Sequence, residues 1–306
     1  MYRSILVPLD GSPASEHALP WALSIAQQDG TSLHLVRVHM APVPLMVGSE
    51  LASDVVMDDA IRTAESSYLN DIAKRLSAAS TIPVHHTLLE GTPIDAIQEH
   101  AKALKNDLIV MTTHGRGAFA RFWLGSVADK IVRHSTIPTM LIRPNEQAAD
   151  LTARPFIQRI VIPLDGSDLA ERAIEPAIKL GKVMGAEYSL ILVLDAVENI
   201  EALARLKIHE AGAWHPEATL AKANVYLERV AHRMRGHSLI VHPKVIQHGS
   251  AAGTILDYAQ THGHPVIALA THGRSGIKRM LLGSVADKVV RGATMPVLVY
   301  HPAEAT

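Results

Sequence analysis

Cysteine is absent from the 306 residues, which excludes disulfides, thiolate zinc sites, iron–sulfur clusters and cysteine nucleophiles. His, Asp, Glu and Ser are left to carry any chemistry. Aromatic residues make up only 4% of the chain, so a core has to be built from Val, Ile, Leu and Ala. A charge imbalance is missing too. Against 29 Lys and Arg stand 30 Asp and Glu, a net charge of −1, and no global basic field draws in nucleic acid or an anionic membrane. No apolar stretch approaches the ~20 residues of a membrane span, and the N-terminus reaches Asp10 after too short an apolar run for a signal-peptide core. The expectation is a cytoplasmic protein with neither a nucleic-acid nor a membrane partner. What is present, 48% hydrophobic and 19% charged residues, can bury a sizeable core, and at roughly 150 residues per domain the length suggests two domains.

The chain repeats itself. Pro8-Leu9-Asp10-Gly11-Ser12 returns as Pro163-Leu164-Asp165-Gly166-Ser167, an offset of 155. Thr113-His114-Gly115-Arg116 returns as Thr271-His272-Gly273-Arg274, and Gly125-Ser126-Val127-Ala128-Asp129-Lys130 as Gly283-Ser284-Val285-Ala286-Asp287-Lys288, both at an offset of 158. The offsets differ by a short insertion of the kind loops tolerate. Pro144, Asn145, Glu146, Gln147 and Pro155 interrupt the apolar pattern between the copies. The expected organisation is a first domain over 1–144, a linker over 145–156 and a second domain over 157–306.

Within each copy, short apolar runs alternate with longer amphipathic stretches. In the first copy, strands are expected at residues 4–9, 32–39, 84–89, 107–112 and 139–143, and helices over 12–28 and 61–76, with Ile61, Tyr68, Leu69, Ile72 and Leu76 on one face. Pro93 and Gly125-Ser126 mark two further helix starts. Near-continuous hydrophobic strands signal a parallel sheet covered on both faces, so each copy reads as a five-stranded, doubly wound α/β domain. In such sheets a ligand sits beyond the C-terminal strand ends, where strand order reverses. The repeated blocks fall there. Asp10 and Asp165 close the first strand, and the segments from His114 to Ser126 and from His272 to Ser284 join the fourth strand to the last helix. Glycines, a helix N-terminus, Arg116 and Arg121 in one copy, and Arg274, Lys278 and Arg279 in the other are the makings of a phosphate cradle. A strand-end Asp can accept hydrogen bonds from an amine or a sugar hydroxyl.

These residues, Asp10, Thr113-His114-Gly115, nine further residues and then Gly125-Ser126, resemble the universal stress protein family, and the resemblance covers essentially the whole chain as a tandem pair. Nucleotide-binding members of that family carry Gly, two residues, Gly, nine residues, then Gly-Ser or Gly-Thr. Gly115 and Gly273 match the second glycine, Gly125 and Gly283 the third, and Ser126 and Ser284 the closing hydroxyl. The first glycine is replaced by Thr112 in one copy and by Ala270 in the other. Because Thr112 places a β-branched group where close approach is expected, the second copy reads as the better site. The resemblance implies a Rossmann-like fold of strand order 3-2-1-4-5, with ATP, with or without Mg2+, as ligand. It also implies that Asp10 and Asp165 contact the adenosine end, that Val38 and Val193 line the adenine pocket, and that the loop glycines and serines hold ribose and phosphates. Domain pairing through the last strand is common in the family; a homodimer and an unidentified protein partner are left open.

Each signal has a plainer reading. Gly-Ser-Val-Ala-Asp-Lys makes an ordinary capped helix start, Asp-Gly-Ser is good turn chemistry, and His114 and His272 can simply bond loop backbone. Several apparent motifs fail. Gly115 to Ala120 fits a loose dinucleotide pattern but follows the wrong strand, and the second copy breaks it with Ser275. His209-Glu210 has Ala213 where a zinc motif needs His, and His85 and His86 point to opposite faces of a strand. No metal site and no catalytic residue is assigned. The leading expectation is an ATP-binding, nucleotide-responsive stress or signalling factor. Its rivals are a slow ATPase or phosphotransfer enzyme and a nucleotide-free interaction protein.

Overall fold

The computed structural model describes residues 1–41, 51–114, 124–194, 216–247, 249–271 and 283–302, with the side chains of 51–56 and 216 excepted. The chain divides into two compact units, Met1–Ile131 with Thr139–Pro155, and Val132–Pro138 with Phe156–Thr306.

In the first unit β1 (Ser4–Pro8), a 3-10 turn (Ser15–His17), α1 (Ala18–Asp29), β2 (Ser32–His39), α2 (Leu51–Ala79), β3 (Val84–Glu90), α3 (Pro93–Ala103), β4 (Leu108–Thr112), α4 (Ser126–His134) and β5 (Thr139–Ile142) follow in order. The strands pair in parallel in the order β3-β2-β1-β4-β5, the order the family resemblance implies. β4 and β5 are buried along their whole length and β1 almost so, whereas the edge strand β3 is largely exposed. Right-handed crossovers place α1 and α2 on one face and α3 and α4 on the other. The helix expected over 12–28 is split, because Ser12 first accepts the Ser15 amide through its carbonyl at 3.1 Å to close the 3-10 turn, and α1 starts only at Ala18. α2 starts ten residues before the expected 61. Near its start Asp58 pairs with Arg62 one turn on at 2.7 Å.

The second unit repeats the pattern: β6 (Arg159–Pro163), α5 (Asp168–Glu171), α6 (Ile174–Met184), β7 (Glu187–Leu194), α7 (Pro216–Arg235), β8 (Val241–Gln247), α8 (Ala251–Gln260), β9 (Pro265–Ala270), α9 (Ser284–Gly292) and β10 (Val297–Tyr300). Its parallel strands run β8-β7-β6-β9-β10. Register confirms the duplication. Ser4 faces Ser32 between β1 and β2, and Arg159 faces Glu187 between β6 and β7, each pair displaced by 155. Both cores are aliphatic, with Ile5, Leu6, Leu33, Ile109, Ile160, Leu190 and Ile267 fully buried.

Candidate functional site

In both units the first and fourth strands are neighbours, and the chain leaves them toward opposite edges of the sheet. A crevice at their C-terminal ends is the general consequence of such a reversal. Asp10 and Asp165 lie just past the first strand of each unit. Gly11 and Gly166, which follow them, have φ of +82° and +81°, left-handed values that a Cβ would strain. This turn brings Ser12 back onto Asp10: its amide and hydroxyl donate to Asp10 Oδ1 at 2.9 and 2.6 Å. Ser167 does the same to Asp165 Oδ1 at 2.9 and 2.5 Å. Each serine hydroxyl in turn accepts an amide three residues on, that of Ser15 at 3.2 Å, shared with the Ser12 carbonyl, and that of Ala170 at 3.1 Å. Oδ1 of each aspartate thus serves the turn, as Asp-Gly-Ser chemistry allows.

The other repeated block meets the end of the fourth strand. Thr113 donates its amide to Ile142 at 2.9 Å, and Thr271 to Tyr300 at 2.9 Å, prolonging the pairing with the fifth strand. Gly125 donates its amide to the Thr113 carbonyl at 2.6 Å, which holds the start of α4 against the end of β4. α4 and α9 then begin with matching bonds, Asp129 amide to Gly125 at 2.8 Å and Asp287 amide to Gly283 at 2.9 Å. Ser126 and Ser284 are the first helical residues and are exposed. First-turn amides have no partner within a helix and carry partial positive charge, so these starts can accept an anion.

Val38 is half-buried in β2 and Val193 buried in β7. Gly115, Gly273, His272 and the basic residues Arg116, Arg121, Arg274, Lys278 and Arg279 lie outside the described residues. Thr112, standing where the motif's first glycine would be, is buried, and its hydroxyl donates to the His114 carbonyl at 3.0 Å; Ala270 has no such group. His114 Nδ1 lies 3.1 Å from Thr113 Oγ1, and burial, reinforced by the Arg143 charge, holds its pKa below the ordinary histidine value. In the second unit His301 stands at the position of Arg143, with its Nδ1 3.2 Å from Thr271 Oγ1.

Beside each aspartate is a constellation that motif reading missed. Glu16 Oε1 accepts the Tyr68 hydroxyl at 3.3 Å and Glu16 Oε2 faces Arg75 Nη1 at 3.3 Å. In the second unit Glu171 pairs with Arg233, and Tyr226 stands where Tyr68 does. Burial, then Glu16, raises the Tyr68 pKa; burial, then Glu171, raises that of Tyr226, with a smaller push in the same direction from Asp10 and Asp165 respectively. The signal was in the chain: Tyr68, Leu69, Ala73 and Arg75 recur as Tyr226, Leu227, Ala231 and Arg233 at the same offset of 158 as the glycine block. Among the described residues no group of three or more His, Asp or Glu is placed to hold a metal ion, and no helix is long and apolar enough to cross a membrane.

The profile of the Universal stress protein family matches residues 1–143 and 157–301. The chain belongs to that family. Universal stress proteins of Mycobacterium bovis and Mycobacterium tuberculosis are 26% identical to it over 300 residues, covering 97% of this chain and 96% of theirs. A universal stress protein of Methanocaldococcus jannaschii is 32% identical over 147 residues, 47% of this chain and 83% of its own. Among solved structures, a universal stress protein from Archaeoglobus fulgidus superposes with a TM-score of 0.70 at 20% identity, covering 98% of this chain and 99% of that one. A likeness at that identity speaks for the tandem α/β fold.

Proposed function

We propose that this universal stress protein family member binds ATP, with or without Mg2+, in the crevice between the first and fourth strands of its units, and that it acts as a cytoplasmic, nucleotide-responsive stress or signalling factor. The two domains run over 1–144 and 157–306, joined by 145–156. The observation that carries the reading is a duplicated pair of features at one end of the same two strands: a turn-held aspartate, and an exposed serine at a helix start. Such a helix start suits an anionic phosphate, and an aspartate suits the donors of a nucleoside. Gly115, Gly125 and Ser126, and likewise Gly273, Gly283 and Ser284, then hold ribose and phosphates, while Val38 and Val193 flank adenine. The second unit is the stronger site, because Ala270 adds less bulk than Thr112 at the missing glycine.

The test is to denature freshly purified protein and to identify and count released nucleotide by chromatography and mass spectrometry, followed by calorimetric titration of stripped protein. ATP near one per chain, retained when Asp10 is replaced and lost when Asp165 is, supports the reading. No copurified nucleotide and no heat on titration remove it. A phosphate-release assay on the same sample tells a binding protein from a slow ATPase. The buried Thr112 at the first unit's missing glycine favours a second reading for that unit alone: an empty site kept for protein interaction.

A further inference from the structure

The first unit holds a buried ion network that its duplicate replaces with apolar side chains. His39 ends β2 with its side chain 1% exposed. Its Nδ1 lies 2.8 Å from Glu65 Oε2 and its Nε2 lies 2.8 Å from Asp58 Oδ1, both acids belonging to α2. An ionised carboxylate only accepts, so hydrogen bonds at both nitrogens need an N–H on each, and an imidazole has two only as the cation. The surroundings are consistent with that charge. Glu65 Oε1 takes Arg37 Nη2 at 2.8 Å and Nε at 3.2 Å. Asp58 Oδ2 takes Arg62 Nε at 2.7 Å, and Arg62 reaches Glu90 on β3. Arg37, Arg62 and a charged His39 balance Asp58, Glu65 and Glu90.

Among the described residues, His86 of β3 shares this face beside Leu35, four residues before the His39–Glu90 pairing, and is exposed. Glu16 of the 3-10 turn is engaged by Tyr68 and Arg75, Asp10 past β1 is engaged by Ser12, and α1 carries no ionisable residue before Asp29 at its far end. Arg37 stacks over the Tyr68 ring at 5.5 Å. The hydrogen bond to Glu65, then that to Asp58, raises the His39 pKa against the opposing effect of burial. At the equivalent positions of β7 the second unit has Leu192 for Arg37 and Leu194 for His39, both buried.

We propose that His39 is a proton-dependent clamp specific to the first unit: as the imidazolium it ties the end of β2 to α2 through Glu65 and Asp58, and its deprotonation releases one of these contacts and loosens the first half of α2. The later part of α2 is anchored independently by Leu69, Ile72 and Leu76, all fully buried. The raised pKa sets the sign. The clamp is fully closed below the unfolded value near 6.5 and opens as pH rises through the folded value. The proposal does not depend on nucleotide binding.

The experiment uses the full chain with 15N-labelled histidine, followed by long-range proton–nitrogen correlation from pH 5.5 to 9.5, with amide exchange on α2 corrected for its intrinsic pH dependence. The expected result is imidazolium nitrogens on His39 at pH 7 and a midpoint above 6.5. Protection over residues 58–66 falls, by at most about tenfold per pH unit, between about 6.5 and that midpoint and levels off above it, while 69–76 hold. His39→Leu, the residue of the second unit, should remove the pH dependence. A neutral single tautomer at pH 6 to 8, or protection that changes identically in wild type and His39→Leu, overturns the proposal. Should His39→Leu not fold, Asp58→Asn replaces it, and a His39 midpoint unmoved by that change is equally fatal.

Discussion

Gly125 approaches the Thr113 carbonyl so closely that a Cβ on the glycine would stand 3.3 Å from that oxygen and 3.4 Å from His114 Cα. Both neighbours are backbone and cannot swing aside. Gly125→Ala should therefore push α4 away from the end of β4, lengthen the 2.6 Å amide bond and cost about 1 to 3 kcal/mol. Urea denaturation measures the loss. A variant as stable as wild type would mean that the helix start is looser than its geometry.

Asp165→Ala tests the ligand assignment. Loss of buried hydrogen bonds to a nucleoside is worth about 1 to 3 kcal/mol, a weakening of roughly 5- to 150-fold in the Kd of ATP read by titration calorimetry. Unchanged affinity would leave Asp165 as a turn residue and nothing more.

Ser167 separates those two roles. Its hydroxyl caps α5 by accepting the Ala170 amide at 3.1 Å while donating to Asp165. Ser167→Ala should lower stability by about 1 kcal/mol and also weaken ATP. Ser167→Thr, which keeps the hydroxyl, should restore both. Thermal unfolding with and without nucleotide reads the two effects.

Three histidines of the first unit oppose His39 in pH response. Burial lowers the pKa of His34, His100 and His114. A depressed folded value means that the unfolded chain binds the proton more readily, so their contribution is present above about pH 6.5 and is lost as pH falls through the folded values. Denaturation midpoints should drop between pH 7 and 5. His100→Gln and His114→Gln should reduce the drop, and Arg143→Gln should raise the His114 midpoint in an NMR titration.

The Arg37–Glu65 pair, with side chains only 10% and 11% exposed, predicts a non-additive series. Glu65→Ala alone strands Arg37 and His39 and should cost roughly 3 to 5 kcal/mol. Combining it with Arg37→Leu and His39→Leu, which installs the residues of the second unit, should recover most of that loss. Chemical denaturation of the single and triple variants decides it.

The strands and the glycine blocks were legible because each depends on neighbours in sequence: unbroken apolar runs such as Leu108 to Thr112, or the adjacent Gly125 and Ser126 at a helix start. The His39 network was not. Its partners lie 19 and 26 residues away, and only the crossover from β2 to α2 brings them together. The turn of α2 around Asp58 and Arg62 escaped for a related reason, since an ion pair leaves no apolar period in the chain. Tyr68 was visible as part of an apolar face, but its bond to Glu16 needs the 3-10 turn that Ser12 closes. The exchange of Thr112 for Ala270 was plain in the chain, whereas the inward tether of the Thr112 hydroxyl to His114 was not.

The 2.6 Å bond between Gly125 and Thr113 has an engineering consequence. It staples together Thr113 and Gly125, the residues on either side of segment 114–124. Lengthening a segment with pinned ends costs little, about 0.6 kcal/mol per doubling. The first unit is in this sense a socket, into which recognition sequences of different length can be grafted while the sheet beneath keeps its register.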